Sequence, residues 1–299
     1  MRRSTMLASA IAIATTLAAC NGTEPDTEPG EIEAAADDEP AEVEPDQPEE
    51  TEESAEQEPE PAEPDDIEEP DDEADQQDVA DATRGYFDAF ATYQPADMPT
   101  MLDHATEGSA AYTYAAVQIA NVAALGDQGF TSQPGTATYL DDGDVEMCNV
   151  GDDGSRSCSI MGDTTLDGGL LSAFTVDGAP IDDRLATGGE TTSEGNVAVT
   201  LLGAYHSVQA DLLVVALDIH NGADDVTNLN IYTSEYINDA GRQVTASDAV
   251  GPIELRSGAA SYATIYFPAQ GVGGTFYLEG YSEDFSRDYE WELTLTPLN

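Results

Sequence analysis

The chain has 299 residues, with 61 acids against 8 bases and a formal charge of −53. All the bases are arginine, and there is no lysine. That charge excludes nucleic acid and other polyanions as partners, because phosphate backbones are bound by clustered Lys and Arg that release counterions. Anionic lipid headgroups are disfavoured for the same reason, whereas cationic partners and metal ions remain electrostatically allowed.

Arg2 and Arg3 precede an uncharged stretch of apolar and small residues over 6–17. A membrane span needs about 20 apolar residues, so this shorter stretch has the layout of a secretory signal peptide. Leu17-Ala18-Ala19-Cys20 then resembles the lipobox of bacterial lipoproteins. The resemblance implies removal of residues 1–19 and a diacylglycerol on the Cys20 thiol. It also implies a protein lipid-anchored to the outer-facing side of the cell membrane. Arg2-Arg3 could suggest twin-arginine export, but Thr5 stands where a hydrophobic residue would strengthen that motif, so the general secretory route is expected.

Residues 20–78 read as the lipidated cysteine followed by a disordered acidic linker. From residue 21 to residue 78 there are 28 acids, no base and nine of the sixteen prolines. Only Ile32, Val43 and Ile67 are apolar and larger than alanine. Such a segment cannot bury enough surface to offset its ordering entropy, and like charges and proline extend it. It is expected to act as a spacer between membrane and folded part, a cation- or partner-binding tail being the rival reading.

Hydrophobic periodicity begins at Val79. Tyr86, Phe90 and Tyr93 recur at helical spacing, with Val79 and Ala82 on the same face, which predicts an amphipathic helix. Gln94-Pro95 ends it, since proline biases the preceding residue away from helix. A short helical turn is expected over 98–104. Ser109 is placed to cap a second helix running to residue 125. That helix carries Tyr114, Val117, Asn121 and Ala124 on one side and Ile119 and Val122 on another. An apolar face so wide predicts packing against a sheet.

Strands are expected over 137–140, 144–150, 156–161 and 170–176. They are separated by Asp141-Asp142-Gly143, by Gly151-Asp152-Asp153-Gly154-Ser155 and, after the last, by Asp177-Gly178. Helices followed by an antiparallel meander predict an α+β domain over 79–187. Phe174-Thr175-Val176-Asp177-Gly178-Ala179-Pro180-Ile181 resembles a strand-turn end of nuclear-transport-factor-two-like domains. Many exported actinobacterial proteins carry that cone-shaped fold, and it implies a cavity.

Cys148 and Cys158 are equidistant from Asp153. A hairpin of that register sets them opposite each other, with Cβ atoms about 4.5–5.5 Å apart. In an oxidising compartment a cross-strand disulfide is the leading reading. The alternatives are a metal pair and a redox dithiol. Neither a histidine nor a third thiol lies nearby to complete a zinc site, and the spacing is not CxxC.

Beyond Gly188-Gly189-Glu190-Thr191-Thr192 the pattern is strand-like throughout. Leu213, Val215, Leu217 and Ile219 alternate along one strand. Ala263, Ile265 and Phe267 alternate with Tyr262, Thr264 and Tyr266, and Tyr289, Trp291, Leu293 and Leu295 alternate with Glu290, Glu292, Thr294 and Thr296. Further strands near 197–204, 229–237, 244 and 275–281 bring the count to seven or eight, the spacing of an all-β sandwich over 192–299. The run from Asp211 to Asn221, then Asn238-Asp239-Ala240-Gly241-Arg242, resembles telokin-like immunoglobulin-type domains of bacterial surface lipoproteins. The resemblance implies a binding or assembly module.

Gly280-Tyr281-Ser282 continues to Glu283-Asp284, which breaks a GxSxG elbow. Without lysine there is neither a Walker lysine nor an SxxK serine site, and HExxH is absent. His206 and His220 lack partners at catalytic spacing. Asp141, Asp142, Asp144, Asp152 and Asp153 could ligate calcium, but they match no EF-hand loop, and Asp-Gly is ordinary turn chemistry. Tyr262, Tyr266, Tyr277, Tyr281 and Tyr289 could form a ligand face, though aromatic residues are also common strand formers. No enzyme, cofactor or metal is expected. The sequence points to a lipid-anchored binding or envelope-associated module with a protein or glycan partner. The alternative is a small-ligand carrier using a pocket in the α+β domain.

Overall fold

Helix α1 spans Asp72–Ala91, so it begins within the stretch read as linker rather than at Val79. Asp72, Glu73 and Asp75 occupy its first turn, where the free amide ends of a helix favour negative charge. Apolar periodicity could not reveal a start built from acids. The structure, a computed structural model, describes residues 72–130, 133–150, 154–207, 210–268 and 271–298, with backbone alone over 72–80. Residues 1–71, Cys20 among them, lie outside the described residues, as do Asp152 and Asp153. Among the described residues no helix is long and apolar enough to cross a membrane.

α1 ends where Thr92 turns its hydroxyl back onto the Ala89 carbonyl at 2.7 Å and Tyr93 takes a left-handed φ of 48°. A 3₁₀ turn over Met98–His104 follows, with Met98 and Met101 buried. Helix α2, Ala110–Asp127, starts as the sequence predicts, the Ser109 side chain accepting from the Tyr112 amide.

The first sheet is a meander of β1 (Thr136–Tyr139), β2 (Val145–Val150), β3 (Arg156–Asp167), β4 (Leu170–Val176) and β5 (Ala179–Pro180), all antiparallel and in chain order. β3 runs well past residue 161, because register shifts between Gly162 and Leu166 absorb a bulge that the simple alternation hides. Asp177 and Gly178 both have positive φ, the pairing that a two-residue hairpin matching strand twist requires.

The remaining strands are β6 (Leu185–Thr187), β7 (Thr191–Glu194), β8 (Val197–Ser207), β9 (Leu212–Asn221), β10 (Thr227–Leu229), β11 (Glu235–Asn238), β12 (Gln243–Thr245), β13 (Asp248–Val250), β14 (Glu254–Leu255), β15 (Ala260–Phe267), β16 (Gly274–Ser282) and β17 (Asp288–Pro297). They join in one antiparallel sheet ordered β12-β11-β16-β17-β6-β8-β9-β15-β13. β10 links β14 to β16, and β7 lies on β8. β6 is the hinge of this sheet: Ala186 pairs with Ala204 on one side and with Pro297 on the other. The sheet curls about it, so that Val199, Leu201, Val215, Leu217, Ile265 and Phe267 share one core with Phe276, Leu278, Trp291 and Leu293. The described residues are thus helices with mostly antiparallel sheet, the coarse content expected of an α+β part followed by an all-β part.

α2 packs on β4 of the first sheet and on β8, β9 and β15 of the second, which is why both of its sides are buried. On the first side Phe174 meets Tyr86, Phe87 and Tyr114 with ring centroids 5.9, 5.4 and 5.6 Å apart, and Tyr114 continues to Tyr205 at 5.2 Å. Interlocked edge-to-face rings fill this core. On the second side Asn121 Oδ1 accepts from the Tyr266 hydroxyl at 2.6 Å and the Thr264 hydroxyl at 3.2 Å.

Candidate functional site

Three strand segments meet at one edge of the curled sheet. Asn228 of β10 pairs with Glu254 of β14 on one side and with Tyr281 of β16 on the other, so the three side chains line up across one face. Their neighbours Thr227, Leu229, Leu255 and Ser282 point inward and are buried. Gly280 completes the inner face; a Cβ there would lie 2.6 Å from the Asn228 carbonyl and 3.0 Å from the Trp291 ring. That close approach lets Trp291 seat beneath the ledge, its indole N–H donating to the Val197 carbonyl.

The outer face forms an open groove of about 310 Å³, lined by Asn228, Asn230, Tyr232, Ile253, Glu254 and Tyr281 among others. Two of its apolar members face solvent: Ile253 is 58% exposed and Tyr232 is 50% exposed. Tyr281 in turn stacks on Phe285, ring centroids 4.9 Å apart and planes 14° from parallel. Phe285 is 75% exposed. Apolar groups gathered in one exposed place mark interaction surfaces more often than scattered ones do.

The turn beneath Phe285 is held in detail. The Ser282 hydroxyl donates to Asp284 at 2.8 Å and accepts from the Arg287 amide, while the Ser286 amide donates to Asp284 at 3.0 Å. The hydroxyl and amide of Ser286, with the Ser282 hydroxyl, hold the fully exposed Asp284 carboxyl down at about 2. The turn sets Phe285 at φ 56°, a left-handed backbone that costs an aromatic residue of order 1–3 kcal/mol. From the other side, the buried Asn221 fixes the ledge. Its amide donates to the Asp225 and Leu255 carbonyls, and its oxygen accepts from the Ala223 amide. In the sequence Asn221 only closes the run that begins at Asp211, and no periodicity marks Tyr232, Ile253 or Phe285; the isolated, polar-flanked Phe285 is the one local signal.

The residues singled out from sequence fall elsewhere. Cys148 and Cys158 pair directly and are joined by a disulfide, with Cα atoms 4.0 Å apart. Asp141, Asp142 and Asp144 form a turn in which the Asp142 carboxylate accepts from the Asp144 amide at 3.3 Å. Among the described residues, Glu146 joins Cys148 and Cys158 in a group of metal-ligand types, and the disulfide occupies both sulfurs. His206 faces Asp211 at 3.6 Å, and His220 is exposed. The five tyrosines do not share a face. Tyr266 bonds Asn121, Tyr289 lies in the core against Trp291, and Tyr281 alone reaches the groove.

No family model and no curated protein matches the chain. A crystal structure described as a functionally unknown protein from Listeria monocytogenes EGD-e aligns with 38% of this chain and 85% of its own, at 6% identity and a TM-score of 0.28.

Proposed function

We propose that the chain is a non-catalytic binding module, lipid-anchored through Cys20 outside the cell membrane, that engages a protein or glycan of the cell envelope. The single observation that carries this reading is the exposed apolar ledge of Tyr232, Ile253, Tyr281 and Phe285, whose last member is held in a strained backbone by a dedicated turn. Strain maintained at an exposed aromatic side chain is a signature of a contact residue. Within this proposal the curled sheet is an immunoglobulin-like sandwich, a reading supported by the way its two halves close on Trp291. The first half is read as nuclear-transport-factor-two-like, with its interior filled by the rings around Phe174. That filling argues against the carrier alternative, which needs an enclosed space.

The test uses the mature full-length chain on envelope protein and glycan preparations. Binding should fall at least tenfold in Phe285→Ser and Ile253→Ser, with thermal midpoints unchanged because both side chains are exposed. Binding that survives both substitutions would sink this reading. Capture by glycan alone, or by protein alone, would settle which partner class applies.

A further inference from the structure

Arg156 lies diagonally across the Cys148–Cys158 disulfide. Its Nη2 stands 3.0 Å from Cys148 Sγ and 3.5 Å from the Glu146 carboxylate, so a guanidinium–carboxylate pair straddles the sulfur bridge. The two sulfurs differ in setting. Cys148 is buried at 1% exposure, whereas Cys158 is only half-buried, on a stretch of β3 that the β4 ladder does not reach, since that pairing begins at Met161. A guanidinium touching one sulfur stabilises that sulfur as an anion, and a thiolate so stabilised is the better leaving group.

We propose that this disulfide is a thiol-exchange site for a small or protein dithiol, with Cys158 as the sulfur attacked and Cys148 as the leaving thiolate. One thiolate of the dithiol attacks Cys158 Sγ. A bond forms between those two sulfurs, the Cys148–Cys158 bond breaks, and its electron pair leaves on Cys148 Sγ beside Arg156. The second thiol of the dithiol gives its proton to water and attacks the sulfur bound to Cys158. Cys158 departs as a thiolate and takes a proton from water. The dithiol loses two electrons and becomes a disulfide; the protein gains two and holds the reduced pair. Exchange would leave β2 and β3 held by their ladder alone beside Asn149, whose side-chain amide donates to the Tyr93 hydroxyl at 2.7 Å and so ties the hairpin to the end of α1.

The experiment measures reduction of the oxidised full chain by dithiothreitol under native conditions, and traps the first step with glutathione before acid quenching. Cleavage at Asp152 and Asp153 separates the two cysteines for mapping. Glutathione should be found on Cys158. Arg156→Gln should be reduced about tenfold more slowly than the parent, while Arg156→Lys stays closer to the parent. Arg156 is largely exposed, so the oxidised variants should keep the parent's thermal midpoint and near-ultraviolet spectrum. Glutathione on Cys148, equal reduction rates for all three chains, or no reduction without denaturant would each overturn the proposal.

Discussion

Asn121 shares its side of α2 with Val117 and Ala124, and those neighbours alone give no reason for a carboxamide there. The reason lies 145 residues away, where Tyr266 and Thr264 aim hydroxyls at its oxygen. Asn121→Ala would leave both hydroxyls without that acceptor at a packed interface, a loss of about 1–3 kcal/mol. Urea unfolding should show a lower midpoint with an unchanged slope. Tyrosines give a second test at this scale. Burial pushes Tyr93 up to about 12, with the Asn149 hydrogen bond acting weakly the other way. Burial also pushes Tyr236 up to about 12, with the nearby Asp239 carboxylate adding to the shift. Burial drives Tyr86 and Tyr114 well above the ordinary range. These phenols ionise near 10 once unfolded. Their contribution is therefore complete below pH 10 and is lost as pH rises from 10 through about 12. Ultraviolet titration of the native chain should show delayed phenolate absorbance, and thermal midpoints should fall across the same window. Normal titration of all thirteen tyrosines in the folded chain would contradict this packing.

Among the elements, β7 shows a device that no periodicity reveals. β7 runs beside β17 without forming a ladder with it; the Glu194 and Glu190 carboxylates accept instead from the β17 amides of Glu290 and Thr294 at 2.6 and 2.7 Å. Two side chains thus occupy the places of two carbonyls and close an edge that could otherwise pair with another chain. Glu190→Ala with Glu194→Ala should cost about 1–3 kcal/mol in total and make light scattering rise with protein concentration on warming. Unchanged scattering would show that the edge needs no such cover. What was legible in the sequence follows the same division. β4 and the alternation of Leu213 to Ile219 and Tyr289 to Leu295 were readable because local burial dictates them. The opposition of Cys148 and Cys158 was readable because hairpin register is counted from the turn. The extension of β3, the acidic start of α1, the carboxylate caps on β17 and the groove were not. Each depends on a bulge, a dipole or a partner far along the chain. Of the side chains lining the groove, only Tyr281 stands out in the sequence, among five tyrosines the fold then scatters.

At the scale of the whole molecule, α2 packs against both sheets, sharing one cluster with Phe174 and Tyr205 and another with Val250 and Tyr266. The second core, around Trp291, fills the opposite face of β8, β9 and β15, and residues from Asp72 onward form one compact unit. Loosening the first sheet should therefore be felt in the second. Replacing both Cys148 and Cys158 by Ser removes a constraint worth roughly 2.5–3 kcal/mol in the chain-entropy model for so short a loop. The emission of Trp291, buried in the second core, should report the loss as a lower midpoint that coincides with the midpoint by circular dichroism. Two separated transitions, with the Trp291 signal unmoved, would mean that the halves unfold independently.

The same double duty of α2 sets an order on the chain as it leaves a ribosome or a translocation pore. The first sheet is complete once β5 has emerged at Pro180, and it can cover only one side of the helix. The other side, with Asn121 and its apolar neighbours, waits for β8, β9 and finally β15, which ends at Phe267. A nascent chain stalled between those points carries a half-dressed helix, with a sticky stripe that nothing yet synthesised can hide. Chains truncated near residue 190 should bind a hydrophobic dye and seek a chaperone, and chains extended past Phe267 should stop doing so.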